Sequence, residues 1–325
     1  MKLYIATGDG VVRVESEDGS WRAKRVLALE GVHCLALDPQ QPDTVYAGSE
    51  ANGVWKSDDG GHTWWDADLP EPAALSLAVS PADGAVYAGC EPSKIFRSAD
   101  GGDSWRELAG LRSIPSAPTW KFPPKPWTSH VRWIAPNPHD AALLLAGIEL
   151  GGVMRSEDGG QTWEDHRPGA QRDCHALAWH PSAGGRAYEA GGGGAAWSRD
   201  GGRTWQAADA GRDRHYTWAL AVDPSEPDCW YVSASPGPGP AHYSSDAEAF
   251  IYRWRGDGPW QPLAGGLPQP LDSMIYALAT APGHLFAGLR DGRLYVSRDG
   301  GDSWEGLALT GEALSHIHAL ACTAS

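Results

Sequence analysis

A single seven-bladed β-propeller, all-β and built from four-stranded blades, is the fold this sequence predicts. Three observations carry the prediction: a turn motif that returns along the 325 residues, a strand motif repeated in step with it, and a composition rich in turn formers and tryptophan. The 41 Gly and 25 Pro mark many tight connections. Beside only four Phe and three Met, the 17 Trp point to one repeated structural use of indole rather than to a helical core.

The turn motif is clearest as Ser57-Asp58-Asp59-Gly60-Gly61-His62-Thr63-Trp64. It recurs from Ser98 to Trp105, Ser156 to Trp163, Ser198 to Trp205 and Ser297 to Trp304. Two worn copies complete the set: a shortened one from Ser16 to Trp21, and one from Gly256 to Trp260 that has lost its Ser. Asp-Gly-Gly supplies positive φ for a tight turn, and the Asp and Ser/Thr side chains can bond the turn's own backbone. The Trp is placed to pack between neighbouring sheets. This pattern resembles the Asp-box, or bacterial neuraminidase repeat, over essentially the whole chain. The resemblance implies a propeller in which each box is the hairpin between the third and fourth strands of a blade, with a structural rather than a catalytic role.

One unit displays all four strands, A to D from the inside outward. They are His33–Pro39, Thr44–Ser49, Gly53–Ser57 and, after the box turn, Thr63–Ala67. Strand A returns as Leu75–Pro81, Arg132–Pro138, His175–Pro181, Trp218–Pro224, Tyr276–Pro282 and His318–Cys322. The chain opens on a B strand, Leu3–Thr7, and closes on an A strand, so blade 1 is expected to be closed by both termini. Such closure removes free sheet edges and makes residues 1–325 one domain.

Strand alternation sorts the loops onto two faces, with the D–A and B–C loops together. Trp105 and Trp163, and likewise Trp205 and Trp260, stand farther apart than the other neighbouring box tryptophans. The extra residues fall at 111–130, a D–A loop, and at 234–250, a B–C loop, so both insertions decorate one face. Long loops gathered on one face of a rigid scaffold point to function there. The A strands begin at that face, and their first residues form a ring: His318, His33, Leu75, Arg132, His175, Trp218 and Tyr276. His316, His130, Asp173 and Tyr216, two positions earlier, share the inward side. Glu50, Glu91 and Glu149 follow the B strands of three successive blades, and Arg290 stands there in the last. Histidines, carboxylates, an Arg and aromatics thus converge on one funnel.

The candidates divide by chemistry. Glu50, Glu91, Glu149 and Asp173 are candidate catalytic carboxylates, with Tyr216 and Tyr276 as acid or base. Arg132, Trp218, His130, Trp127 and Arg290 are candidate ligand contacts. His33, His175, His316 and His318 are candidate ligands of a divalent transition metal, Zn, Mn or similar. Trp120 and Trp127, in the Pro-rich insertion, either pin the loop to the body or offer an aromatic platform.

A net charge of −15 without a basic stripe argues against nucleic acid. No run approaches the roughly 18 apolar residues a membrane span needs. Five cysteines without framework spacing suggest reduced thiols in a cytoplasm, with a secreted chain whose signal has been removed as the alternative. The expected partner is a small polar or carbohydrate ligand, or a protein segment at the channel mouth, and the chain is expected to be a monomer. The Asp-box resemblance suggests sialidase first, yet the chain has no Phe-Arg-Ile-Pro segment and no evident Arg triad. Its other implied relatives are xyloglucan-cleaving glycosidases, the sortilin ectodomain and a photosystem assembly factor. That leaves a binding module, a carboxylate-pair glycosidase, and a metal-dependent hydrolase or lyase.

Overall fold

The computed structural model describes residues 1–17, 20–256 and 258–323. Asp18 and Gly19 of the first box and Asp257 of the sixth lie outside the described residues. The first long stretch of antiparallel sheet contains β1 (Lys2–Ala6), β2 (Gly8–Glu17), β3 (Ser20–Leu37), β4 (Val45–Ser49), β5 (Val54–Ser57) and β6 (Trp65–Asp66). Next come β7 (Ala74–Val79), β8 (Val86–Cys90), β9 (Lys94–Ser98) and β10 (Arg106–Glu107). A three-stranded sheet holds β11 (Val131–Pro136), β12 (Leu144–Ile148) and β13 (Gly152–Ser156). Two four-stranded sheets follow: β14 (Cys174–Trp179) to β15 (Ala187–Gly191), β16 (Gly194–Ser198) and β17 (Gln206–Ala207), then β18 (Tyr216–Val222) to β19 (Cys229–Ser235), β20 (Phe250–Arg255) and β21 (Gln261–Pro262). The last complete sheet runs β22 (Ile275–Ala281), β23 (His284–Leu289), β24 (Leu294–Ser297) and β25 (Glu305–Gly306). Finally β26 (Leu309–Gly311) pairs β3, and β27 (Ala319–Cys322) pairs β1.

β3 serves two groups of strands. Its first part pairs with β2 and its second, from Val32, with β4. The first strands of successive sheets adjoin one another: β3 meets β7, then β11, β14, β18 and β22 follow, and β27 closes the circuit back to β3. Strand β27 adds antiparallel to β1, with Leu3 opposite Cys322 and Ala6 opposite Ala319.

The sheet β11–β13 lacks the regular fourth strand expected of every unit. A single bridge between Arg155 and Glu164 stands in its place. The side chain of His166 accepts the Val153 N–H through Nδ1 (3.3 Å), and Arg167 rather than His166 donates its N–H to Val153 O (2.9 Å). The ladder is broken there by one surplus residue.

The box turns behave as their sequence demands. Ser57 donates to Asp59 Oδ1 (2.8 Å) and accepts the Gly61 N–H (2.8 Å), while Asp59 accepts the Thr63 hydroxyl (2.6 Å) and N–H (2.9 Å). Gly60 and Gly61 have φ of 69° and 86°, a region that penalises any side chain. The box indoles bond in two ways: Trp105 donates to Ala67 O (2.8 Å) and Trp260 to Ala208 O (2.5 Å), each at the end of the preceding sheet, whereas Trp64, Trp163, Trp205 and Trp304 donate to the second Gly of their own box.

These turns also set an acid limit on stability. Hydrogen bonds from Thr63, Ser104 and Ser303 hold Asp59, Asp100 and Asp299 below the usual carboxylate value, the last two at about 2. In Asp158 and Asp200 desolvation pushes upward and is outweighed by bonds from Thr162 and Thr204. The unfolded chain therefore binds more protons below about pH 4, and stability falls as pH drops from there towards 2. Urea midpoints are expected to fall between pH 5 and pH 2.5, with a shallower fall in Asp200→Asn; parallel curves for the two proteins would contradict this.

Candidate functional site

Each innermost strand from β3 to β22 carries the same irregularity where its pairing with the second strand begins. Pairing with the second strand skips from Val32 to Cys34, Ala74 to Ser76, Val131 to Trp133, Cys174 to Ala176 and Ile275 to Ala277. In β18 the surplus falls between Thr217 and Leu220, the stretch that holds Trp218. The β27–β1 ladder ends at Ala319, and the preceding His318 donates its N–H to Ala6 O (2.9 Å). A β-bulge frees a residue from the pleat and re-aims its side chain. The residues set free are the ring expected from the sequence: His33, Leu75, Arg132, His175, Trp218 and Tyr276, with His318 just outside its strand.

The second strands make room for this crowding. A Cβ at Gly147 would stand 2.4 Å from Cys174 Sγ of the neighbouring sheet, so the Ala-Gly pair there is a packing requirement. Cys34 and Cys174 accordingly point into sheet packing, and burial pushes the Cys34 thiol up to about 12. These are structural thiols.

The polar centre is Glu149, at the exit of β12 and 7% exposed. Its Oε2 lies 2.6 Å from His130 Nε2 and 3.7 Å from Arg132 Nε, and its Oε1 lies 3.9 Å from His175 Nε2. Burial alone would raise this carboxyl, but the His130 hydrogen bond and the charge of Arg132 outweigh it and hold the group below its usual value. Asp173 Oδ1 is 3.5 Å from the same His175 nitrogen, and Glu91 Oε2 is 3.5 Å from His130 Nδ1. His175 is 1% exposed, and its Nδ1 faces Thr217 O at 2.6 Å. A carbonyl only accepts, so Nδ1 carries the proton and Nε2 is directed at the carboxylates. Four buried atoms here have no hydrogen-bond partner: His130 Nδ1, Arg132 Nε, Asp173 Oδ1 and His175 Nε2.

An aromatic wall adjoins this centre. The Arg132 guanidinium lies over the Trp218 ring (4.5 Å), and Trp218 packs against His175 (4.6 Å) and Tyr276 (5.5 Å). Tyr216 and Tyr276 are joined by a residue not nominated from the sequence, His242. Its Nε2 is 2.8 Å from Tyr216 Oη and its Nδ1 2.6 Å from Tyr276 Oη. Burial, then the charges of His175 and Arg132, push His242 down to about 4, and burial raises both tyrosines. At neutral pH the imidazole is uncharged, so one nitrogen donates and the other accepts, and the relay between the hydroxyls has a direction. His242 sits on a short helix, α1 (Pro238–Tyr243), within the 234–250 insertion. It is the only His that the insertion contains, which is the signal that could have found it.

The structure divides the four histidines proposed as metal ligands. His33 and His318 pack ring to ring (4.4 Å), with His316 stacked on His318 (6.2 Å). Burial and the neighbouring charge of His318 push His33 down to about 3; burial and His316 push His318 down to about 4. His33 Nε2 lies 2.8 Å from Glu50 Oε1. Among the described residues, the group containing a histidine whose ligand atoms lie mutually within 4.8 Å is Glu149, Asp173 and His175. His33, His316 and His318 are outside it.

The insertions contribute unequally. In residues 111–130, Trp120 is buried in the core and pins the loop, Phe122 lies edge-on to His130 (4.8 Å), and Trp127 is 46% exposed. Arg290 donates its backbone N–H to Met274 O (2.8 Å), and its charge helps to lower His318. A second residue missed from the sequence is Glu189 of β15, fully buried where Ala47, Ala88, Ala146 and Ala287 stand in other sheets. It accepts the Gln171 N–H (2.9 Å), and burial pushes it up to about 8. Elsewhere, a cleft at the box end between Asp140, Arg155, Glu157 and Arg203 is a seam of ion pairs, with Arg155 already bound to Gly201 O (2.6 Å).

The chain matches no protein-family model and no curated protein sequence. Its backbone does match solved structures. A GH74 xyloglucanase from Xanthomonas campestris aligns with a TM-score of 0.66 at 21% identity, over 86% of this chain and 45% of that one. A GH74 enzyme from Niastella koreensis aligns at 0.64 and 15% identity, over 98% of this chain and 65% of its own. The fold is a β-propeller, shared with these enzymes. YCF48 from Cyanidioschyzon merolae shares it at 0.56 and 13% identity, over 88% of this chain and 86% of that one. The propeller spans less than half the length of the Xanthomonas enzyme, and at these identities the likeness concerns the fold alone. No helix among the described residues is long and apolar enough to cross a membrane.

Proposed function

We propose that residues 1–325 form one seven-bladed ring whose D–A and B–C loop face is a funnel that binds a small polar ligand of the carbohydrate class. The long β3 then supplies strand D of one blade and strand A of the next, and β27, β1, β2 and the first part of β3 make up the blade shared by both ends of the chain. One observation carries the ligand reading: four buried polar atoms, on His130, Arg132, Asp173 and His175, converge without hydrogen-bond partners. Buried polar groups left unpaired are costly, and a ligand rich in hydroxyls would satisfy donors and acceptors alike. Exposed Trp127 and Tyr243, one on each insertion, offer faces to a sugar ring.

The test is a titration against xyloglucan oligosaccharides, other β-glucan oligosaccharides and uronate-containing oligosaccharides, followed by calorimetry. At least one class is expected to bind saturably at one site, with affinity reduced more than about tenfold in Arg132→Gln, since a charge-assisted hydrogen bond contributes about 1.5–3 kcal/mol. Absence of binding across all three classes would remove the carbohydrate assignment.

A further inference from the structure

We infer that Glu149, Asp173 and His175 form a binding site for one divalent transition-metal ion, of the Mn²⁺ or Zn²⁺ kind, at the mouth of the propeller. The inference uses two of the four unpaired atoms behind the carbohydrate reading, His175 Nε2 and Asp173 Oδ1, but it concerns an ion bound with no sugar present and is tested separately. It also replaces the histidine quartet expected from the sequence, of which only His175 remains.

The geometry points at a cation from three sides. His175 Nε2 is 3.5 Å from Asp173 Oδ1 and 3.9 Å from Glu149 Oε1, and all three ligand atoms lie within 4.8 Å of one another. Ligands held at about 2.0–2.2 Å around one ion stand ~3–4 Å apart, so the two separations from His175 already fall in that range and the carboxylate pair, within 4.8 Å, closes by at most roughly an ångström. His175 Nε2 and Asp173 Oδ1 are buried with no hydrogen-bond partner. A fully buried imidazole nitrogen and carboxylate oxygen that face each other unbonded are what a shared cation would join.

The surroundings are those of a metal ligand set. His175 Nδ1 is tied to Thr217 O at 2.6 Å, which orients the ring and leaves the Nε2 lone pair for the ion. Glu149 is held by its other oxygen: His130 and Arg132 both approach Oε2, and Oε1 is the atom turned to His175. The Arg132 guanidinium and the His130 ring thus sit behind the carboxylate, on the side away from the ion. Asp173 and His175 flank Cys174, whose side chain packs into the neighbouring sheet at Gly147, so the bulge at His175 delivers both ligands to one side. Three protein ligands, two hard oxygens and one imidazole, suit Mn²⁺ or Zn²⁺ and leave further coordination positions open to water or to a ligand hydroxyl.

A second group, Asp223, Glu226 and Cys229, has similar spacing at the opposite end of β18 and the start of β19. There Asp223 Oδ1 is already occupied by the Ser225 N–H (2.9 Å) and hydroxyl (2.7 Å), and Glu226 is exposed. It serves as the internal control.

The experiment uses the full chain, free of any affinity tag and stripped by chelator. It is titrated separately with Mn²⁺, followed by loss of the free-ion electron paramagnetic resonance signal, and with Zn²⁺ by competition with a chromophoric chelator. One equivalent of Mn²⁺ or Zn²⁺ is expected to bind, with affinity lowered at least about tenfold in both Asp173→Asn and His175→Ala and unchanged in Glu226→Gln. Asp173→Asn keeps the size of the side chain, so it remains informative should His175→Ala misfold. Failure of both ions to bind saturably, full retention in Asp173→Asn, or loss in Glu226→Gln instead would each overturn the site. Sugar binding without metal binding would overturn this inference alone, and metal binding without sugar binding only the carbohydrate reading.

Discussion

Replacing Glu149 by Ala is expected to destabilise the propeller by about 3–5 kcal/mol, far more than truncation of a surface carboxylate. The reason is the company this group keeps rather than its own contacts. Glu149 is buried, accepts from His130 at 2.6 Å, and is the carboxylate beside Arg132, whose Nε already lacks a hydrogen-bond partner. Without it, the largely buried guanidinium remains against the Trp218 face with its nearest carboxylate gone and the half-exposed Glu50 left to offset its charge, and a buried charge stripped of its partner is the expensive case. Glu149→Gln, which can still accept from His130, is expected to cost about half as much. Urea denaturation of the two variants and of His130→Ala, alone and combined with Glu149→Ala, measures the pair directly. The double variant should lose clearly less than the sum of the single losses, because the partners act as one unit. A loss under about 1 kcal/mol in Glu149→Ala, or strict additivity, would mean that solvent already screens this centre.

The route from residues to this centre was legible in the sequence to an uneven degree. The box turns could be read because their chemistry is local: Ser57, Asp59 and Thr63 satisfy one another within a single hairpin, so the motif contains its own explanation. The ring could be read because one position per unit changes character while its neighbours, such as the Ala-Leu-Ala of β14, β18, β22 and β27, stay constant. The bulges could not, since a bulge is a relation between two strands and leaves no mark in either strand alone. Nor could the loss of the fourth strand after β13, which turns on one surplus residue at His166. That the four expected histidines do not share one cluster of ligand atoms among the described residues has a similar cause. Sequence position brings four imidazoles to one rim, but His33 and His318 spend their faces on each other, while His175 turns towards carboxylates from β12 and from its own loop. Glu189 was invisible because a Glu in a strand ordinarily faces solvent; only the packing of the adjoining sheets shows that this one does not.

That buried Glu189 leads to the second large expected effect. Its carboxyl, raised from 4.5 to about 8 by burial, is protonated in the folded protein at neutral pH and ionised in the unfolded chain. The unfolded state therefore binds fewer protons than the folded one between about pH 4.5 and 8. Stability from this residue is complete below that window and declines as pH rises through it, by up to about 3 kcal/mol at pH 7. The box aspartates act in the opposite direction below pH 4, and His33, His242 and His318, held below their usual value in the folded protein, do so already below about pH 6.5, so the Glu189 contribution is read as a difference between parent and variant. Glu189→Gln keeps an acceptor for the Gln171 N–H that holds the loop leading to Asp173 and His175, and cannot ionise. It is expected to be slightly less stable than the parent at pH 5, where its extra donors lack partners, and more stable by about 2–3 kcal/mol at pH 8. The two urea-derived stability curves should therefore cross between those values. Curves that stay parallel from pH 5 to 9 would mean that Glu189 is ionised in the folded state, and that the segment carrying Asp173 and His175 is anchored by a charge rather than by a neutral acid.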